Sequence, residues 1–173
     1  MITNDKIVKK AEKIKLVITD IDGVWTDAKM YYTKEGSFMK SFSTYDGMGS
    51  HLLLKNHFIV AMITSEYENI DILMKRAKKL NIKEIYTNEK NKLDRVKYLM
   101  KKYELKKDNI AYIGDDLNDL EALKFAGLSA SPPNTPILNH HNPDYITTYK
   151  SGEGAFRDLA ELILNAQNIP MKF

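Results

Sequence analysis

Three short, unbroken apolar runs end on acidic or hydroxyl residues, and this pattern constrains the fold more than anything else in the chain. Residues 15–19 (KLVIT) lead into Asp20, residues 58–64 (FIVAMIT) into Ser65 and Glu66, and residues 110–114 (IAYIG) into Asp115 and Asp116. Apolar runs without alternation suit strands of a parallel sheet that is covered on both faces. Residues 84–86 and 128–130 are weaker strand candidates. Helical periodicity fills the gaps, over 46–56, 68–80, 92–103, 118–126 and 154–167. Within 68–80, Ile70, Leu73, Ala77 and Leu80 form one stripe, and within 92–103 Leu93, Val96, Leu99 and Met100 do the same. Strand and helix in alternation predict an α/β, Rossmann-like parallel sheet with helices on both faces and right-handed crossovers. The length, 173 residues, suits one domain over 1–173.

One segment interrupts the alternation. Residues 29–32 and 38–42 flank a turn at 33–37, which predicts a β-hairpin inserted after the first strand, at about 28–44. It carries Tyr31, Tyr32, Phe38 and Phe42. An isolated hairpin is barely stable in water, so this one is expected to pack on the domain body or on another subunit.

In an open parallel sheet, ligands bind beyond the carboxyl ends of the strands. Here those ends deliver Asp20 and Asp22, then Thr64, Ser65 and Glu66, then Asp115, Asp116 and Asp119. Carboxylates so close repel one another unless a cation lies among them. Magnesium suits such an oxygen-rich site, because it takes one or two carboxylates together with a substrate phosphate and water. The chain has no cysteine, and its histidines form no ligand motif, so zinc fits poorly. The lack of cysteine also removes disulfides and thiolate chemistry and fits a reducing compartment.

Asp20 can act as a nucleophile that accepts a phosphoryl group. Asp22, two residues on, can protonate the leaving oxygen and then activate water. Gly23 allows the backbone to turn away sharply. Thr64 can donate to a phosphoryl oxygen, and Lys92, opening a helix, can supply a positive charge. Each residue alone has a plainer explanation. An Asp-x-Asp can decorate a loop, Thr64 can end a strand, Lys92 can face solvent, and Asp115-Asp116 can cap the next helix. Their order along successive strand ends favours the chemical reading.

Composition bounds the remainder. Hydrophobic residues make up 43%, charged residues 28%, and the net charge is +3, which describes a folded chain without a nucleic-acid-binding block. No apolar run approaches the ~20 residues of a membrane span. Residues 1–13 are charged and lack a signal-peptide core, so a cytoplasmic location with no membrane partner is expected.

The sequence resembles the haloacid dehalogenase-like phosphatases from residue 14 to about 167. Asp20-Ile21-Asp22-Gly23-Val24, Thr64, Lys92 and Gly114-Asp115-Asp116-Leu117-Asn118-Asp119 look like that family's four motifs in order. The opening Asp-Gly-Val-x-Thr-Asp, the hairpin, and Gly152-Glu153-Gly154-Ala155-Phe156-Arg157 narrow the likeness to small members. These are the 3-deoxy-D-manno-octulosonate 8-phosphate and nonulosonate 9-phosphate phosphatases. The resemblance implies a magnesium-dependent phosphatase with Asp20 as nucleophile and Asp22 as general acid/base. It implies that Asp20, Asp115 and the backbone carbonyl of Asp22 hold the metal. Thr64, Ser65 and Lys92 would bind the phosphoryl group, and Asp116 and Asp119 would support the metal or position Lys92. It further implies a homotetramer in which one subunit's hairpin covers a neighbour's site. Thr64-Ser65-Glu66 departs from the Thr-Gly-Arg of the octulosonate enzymes. Glu66 matches the nonulosonate enzymes, as do Arg76 and Lys79 with altered spacing, so the reading leans towards a nonulosonate 9-phosphate. Ser65 places a side chain where those enzymes have glycine. The alternatives are a phosphatase of another small phosphate ester, a receiver-like domain that stores phosphate on aspartate, and a catalytically silent interaction domain.

Overall fold

The computed structural model describes residues 5–68 and 70–172, apart from the side chains of Ser37 and Phe38. The apolar runs become β1 (Leu16–Thr19), β4 (Ile59–Ile63), β5 (Glu84–Tyr86), β6 (Ile110–Ile113) and β7 (Leu128–Ser131). A two-residue strand, β8 (Tyr145–Ile146), completes a six-stranded sheet in the order β5-β4-β1-β6-β7-β8. All five pairings are parallel. β1 lies at the centre, where the strand order reverses, so its carboxyl end opens into the crevice such sheets use for ligands.

Successive side chains of β1 serve opposite faces. Val17, Val60, Met62, Ala111 and Ile113 join a core with α1 (Asp5–Ala11), α2 (Thr44–Lys55), α3 (Ile70–Lys79) and α6 (Ala155–Ala166). Leu16, Ile18, Ala61, Ile63, Ile110 and Tyr112 face α4 (Lys92–Lys102) and α5 (Leu120–Phe125). Helices thus cover both faces. Trp25 and Phe156 anchor the first core, with ring centroids 4.6 Å apart and neither exposed. Asp46 in the first turn of α2 ties that helix to α6, accepting a hydrogen bond at 3.0 Å from the Arg157 N–H. Burial pushes the Asp46 carboxyl up to about 6.

Several expectations need correction. α2 begins two residues early because Ser43 caps it, its Oγ accepting from the Tyr45 N–H. Ile70 is 38% exposed rather than buried with Leu73 and Ala77, because it opens α3 at the rim of the core. α1 and β8 carried no periodic signal and were not expected. The hairpin pairs β2 (Tyr31–Thr33) with β3 (Gly36–Met39), a tighter register than expected, since Thr33 faces Gly36 across a two-residue turn. Tyr31 and Tyr32 are exposed, whereas Phe42 packs against the core beneath the Arg76 guanidinium, 5.3 Å from its ring centroid. The expectation for Phe38 lies outside the described side chains. Among the described residues, no helix is long and apolar enough to cross a membrane.

Phe156→Ala should cost about 3–5 kcal/mol by leaving a cavity against Trp25. Lys34→Ala, at a side chain 91% exposed, should stay within about 0.5 kcal/mol. Urea denaturation of the two variants checks the contrast.

Candidate active site

The chain leaves β1 at Thr19, and Asp20 follows at the strand's carboxyl end with its side chain buried. Gly23 then turns the backbone with φ +84°, and a Cβ there would lie 1.9 Å from Asp115 Oδ2. Only glycine meets both demands. Gly114 serves the facing loop, where a Cβ would sit 2.5 Å from Asp119 Cγ. Two glycines therefore let the ends of β1 and β6 bring Asp20, Asp115 and Asp119 together, with one oxygen of each within 4.8 Å of the others.

Lys92, the first residue of α4, lies against this cluster with no side-chain exposure. Its Nζ is 2.7 Å from Asp119 Oδ1 and 2.9 Å from Asp20 Oδ1. Asp119 is otherwise fully engaged. Its Oδ1 accepts from the Tyr112 hydroxyl at 2.6 Å, and its Oδ2 accepts from the backbone N–H groups of Asp115 at 2.9 Å and Asp116 at 3.4 Å. Asp119 thus fixes Lys92 and the loop. Asp20 and Asp115 keep oxygens to offer, and Asp20 Oδ1 makes its ion-pair contact without a hydrogen bond of good geometry.

Three carboxylates around one ammonium leave an excess of negative charge. Burial, with the Asp119 charge added, pushes the Asp20 carboxyl up to about 7 against the pull of Lys92. Burial, with Asp20 and Asp119 added, pushes Asp115 up to about 9. Burial alone would lower Lys92, but the Asp20 and Asp119 carboxylates outweigh it and hold the ammonium firmly charged. Such a donor set fits a hard divalent cation, which would be held by Asp20 and Asp115 and would neutralise the surplus charge.

Above the cluster lies an open cavity of about 530 Å³, bordered by Asp20, Asp22, Thr64, Ser65, Glu66, Asp115, Asp116 and Asn118 among others. Thr64 is buried, and its Oγ1 accepts from the Glu66 N–H at 3.1 Å, which leaves its own O–H free to donate into the cavity. Ser65 Oγ donates to the Glu89 carbonyl at 3.0 Å and accepts from Asn118 Nδ2 at 3.1 Å. Its hydroxyl is thus occupied on both sides. The loop carrying Glu89 is fixed in turn by Arg95, 2.6 Å from Glu89 Oε1, whose guanidinium lies 4.1 Å over the Tyr86 ring.

Glu66 serves both the backbone and the cavity wall. Its Oε1 accepts from the N–H groups of Tyr67 and Glu68, both at 2.9 Å, leading into α3, while the residue also borders the cavity. Asp116 is exposed and caps the following 3-10 turn, its Oδ1 accepting from the Leu117 N–H at 2.7 Å. Arg76 and Lys79 do not reach the cavity within this chain. Arg76 Nη2 donates to the Ser43 carbonyl at 3.0 Å, and Lys79 is exposed in the last turn of α3. Sequence reasoning overlooked Thr26, Tyr112 and Lys40. Thr26 Oγ1 donates to Asp22 Oδ1 at 3.2 Å, and Lys40 Nζ lies 2.7 Å from both Asp22 oxygens. Thr26 lies in the Asp-Gly-Val-x-Thr-Asp opening, which marked the resemblance but gave it no role. Lys40 is one of 26 basic residues and carried no signal.

A parallel α/β sheet with an acidic, lysine-braced site at its central strand end defines a hydrolase of the haloacid dehalogenase-like class. The model of that family, described as haloacid dehalogenase-like hydrolase, matches residues 4–156, and the chain belongs to it. The chain is 34% identical to the 3-deoxy-D-manno-octulosonate 8-phosphate phosphatase of Escherichia coli K12, over 93% of this chain and 85% of that protein. The crystal structure of the Moraxella catarrhalis enzyme of that name, in complex with magnesium, phosphate and a KDO molecule, is also similar. It has a TM-score of 0.89 and 40% identity, covering 95% of this chain and 93% of the other. The cobalt-bound Haemophilus influenzae phosphatase gives a TM-score of 0.86 and 36% identity, with 92% of each chain covered.

The raised carboxyls make stability depend on pH. Asp20 and Asp115 hold their protons more tightly folded than unfolded, so stability present at acid pH is lost as pH rises through about 7 and about 9. A bound divalent cation should restore about 2.7 kcal/mol at a hundredfold excess over Kd. Thermal melts with chelator or added divalent salt should therefore diverge more at pH 8 than at pH 5, and Asp115→Asn should abolish the divergence.

Proposed function

We propose that this protein is a magnesium-dependent phosphatase that removes phosphate from a sugar acid through an aspartyl-phosphate intermediate. The observation that carries the reading is the buried Asp20 carboxylate at the end of the central strand, braced by Lys92 and open to the cavity. Asp20 attacks phosphorus, the bond to the sugar oxygen breaks, and Asp22 gives its proton to that oxygen. Asp22 then takes a proton from the water that releases phosphate from Asp20. The Thr64 hydroxyl and the Ser65 backbone bind the phosphoryl oxygens, and Lys92 steadies Asp20. Asp20, Asp115 and the backbone carbonyl of Asp22 would hold magnesium, which would supply positive charge to the transferring group. Asp116 and Asp119 support the loop that presents Asp115.

The substrate we favour is an octulosonate 8-phosphate, on the strength of relatives that carry that name. A second reading, a nonulosonate 9-phosphate, is favoured by Glu66 at the cavity edge. Arg76 and Lys79 lend that reading no support, since neither borders the cavity. A homotetramer that seats the hairpin at the neighbour's site is supported by Met30, Tyr31, Tyr32 and Met39, which are 37%, 40%, 61% and 46% exposed on one hairpin. The whole chain then works as one domain with the hairpin as an insertion.

Phosphate release with magnesium from the two sugar-acid phosphates, side by side, tests the assignment. One substrate should be cleaved much faster, Asp20→Asn should be inactive, and Asp22→Asn should lose about 10²–10⁴-fold. A stable aspartyl phosphate without turnover would point instead to a receiver-like role.

A further inference from the structure

Lys40 follows β3 at the base of the hairpin, and its ammonium is wholly enclosed between two acids of the cavity wall. Nζ lies 2.7 Å from Asp22 Oδ1, 2.7 Å from Asp22 Oδ2, 3.3 Å from Glu66 Oε2 and 3.4 Å from Met30 Sδ. Its side chain has no exposure, against 26% for Asp22 and 10% for Glu66. An ammonium has three donors, and these contacts use all of them. Lys40 is therefore not a spare cation awaiting the carboxylate or phosphate of a substrate.

An exposed surface ion pair contributes little, but a buried ammonium carries a desolvation cost that only good geometry offsets. Here the geometry is a grip on both oxygens of one carboxylate. Thr26 adds a third tether on Asp22 Oδ1 at 3.2 Å. Gripped on both oxygens and tethered again from its own loop, the Asp22 carboxyl is held to one orientation. The grip comes from the inserted hairpin, not from the sheet that carries Asp20.

We infer that Lys40 is a positioning residue that aims the Asp22 carboxyl at the leaving oxygen, and this rests on the proposed role of Asp22 as general acid. As the phosphorus–oxygen bond to the sugar breaks and the Asp20–phosphorus bond forms, the proton must pass from the protonated Asp22 carboxyl to the departing sugar oxygen, which leaves the Asp22 carboxylate that Lys40 grips on both oxygens. A misaimed carboxyl delivers it poorly. A nitrophenolate leaves as a stable anion and needs no such proton.

The test uses the full chain with magnesium and compares kcat/KM for octulosonate 8-phosphate with kcat/KM for p-nitrophenyl phosphate. This parameter reports the steps up to phosphoryl transfer onto Asp20. Lys40→Met should lower the sugar phosphate value at least about tenfold more than the aryl value, within the ~10²–10⁴-fold reach of general acid catalysis. The ratio is read on one preparation, so a smaller folded fraction cancels, and Lys40→Gln should move it the same way. Equal losses on both substrates, or no loss, overturn the inference, because a merely structural lysine would affect both alike. Asp22→Asn separates the two readings. If it shows the leaving-group preference and the Lys40 variants do not, only the positioning role falls. If Asp22→Asn shows none, or the wild type cleaves neither compound, the acid role falls with it.

Discussion

The Lys92 ammonium, held between Asp119 and Asp20, is the interaction on which the rest of the site depends. Burying an ion pair is expensive, and removing one partner leaves an uncompensated charge inside the protein. The surrounding structure answers that cost with complete hydrogen bonding on one side. Asp119 accepts from Lys92, Tyr112 and two backbone N–H groups. The other side is left open, since Asp20 and Asp115 face each other with raised proton affinities. Lys92 thus separates a finished structural half from a reactive half, and the reactive half is the part that borders the cavity.

The strands and the acids at their ends were legible because both follow from position. An apolar run buried on two faces must stop where it meets solvent, and the first polar residues there face the crevice. Asp20, Thr64 and Asp115 could be found in this way without any coordinates. α1 and β8 could not, because a seven-residue charged helix and a two-residue strand have too little pattern. Ile70 misled because periodicity gives the stripe and not its end. Lys40 was invisible for another reason. Its partners Asp22 and Glu66 are 18 and 26 residues away in sequence, and only the hairpin's path brings them together. Ser65 was read as a side chain beside the phosphate, yet its hydroxyl is occupied by Glu89 and Asn118. Arg76 was carried over from a resemblance, and in this chain its guanidinium is taken up by the Ser43 carbonyl and the Phe42 ring.

The site has two structural sources. The sheet supplies Asp20, Thr64 and Asp115 from strand ends whose spacing is set by backbone hydrogen bonds, so their mutual placement is rigid. The hairpin supplies Lys40, and with it the attitude of Asp22, from a two-stranded ribbon with exposed aromatic residues. Whatever covers that ribbon therefore bears on Asp22 as well as on access to the cavity.

The central place of β1 has a consequence for how the protein is made. Leu16 pairs with Ile59 on one side and with Ile110 on the other. Contacts so distant along the chain form late, because a long loop must close before any pairing rewards it. During synthesis the Asp20 strand emerges before both of its partners, and the edge that β6 covers stays unpaired longer than the edge that β4 covers. An N-terminal fragment ending before β6 would expose a hydrophobic strand and lack Asp115 and Asp119. Exposed apolar surface and an unpaired strand edge are what make partly formed chains prone to aggregate, and the acid cluster is complete only once β6 has joined β1.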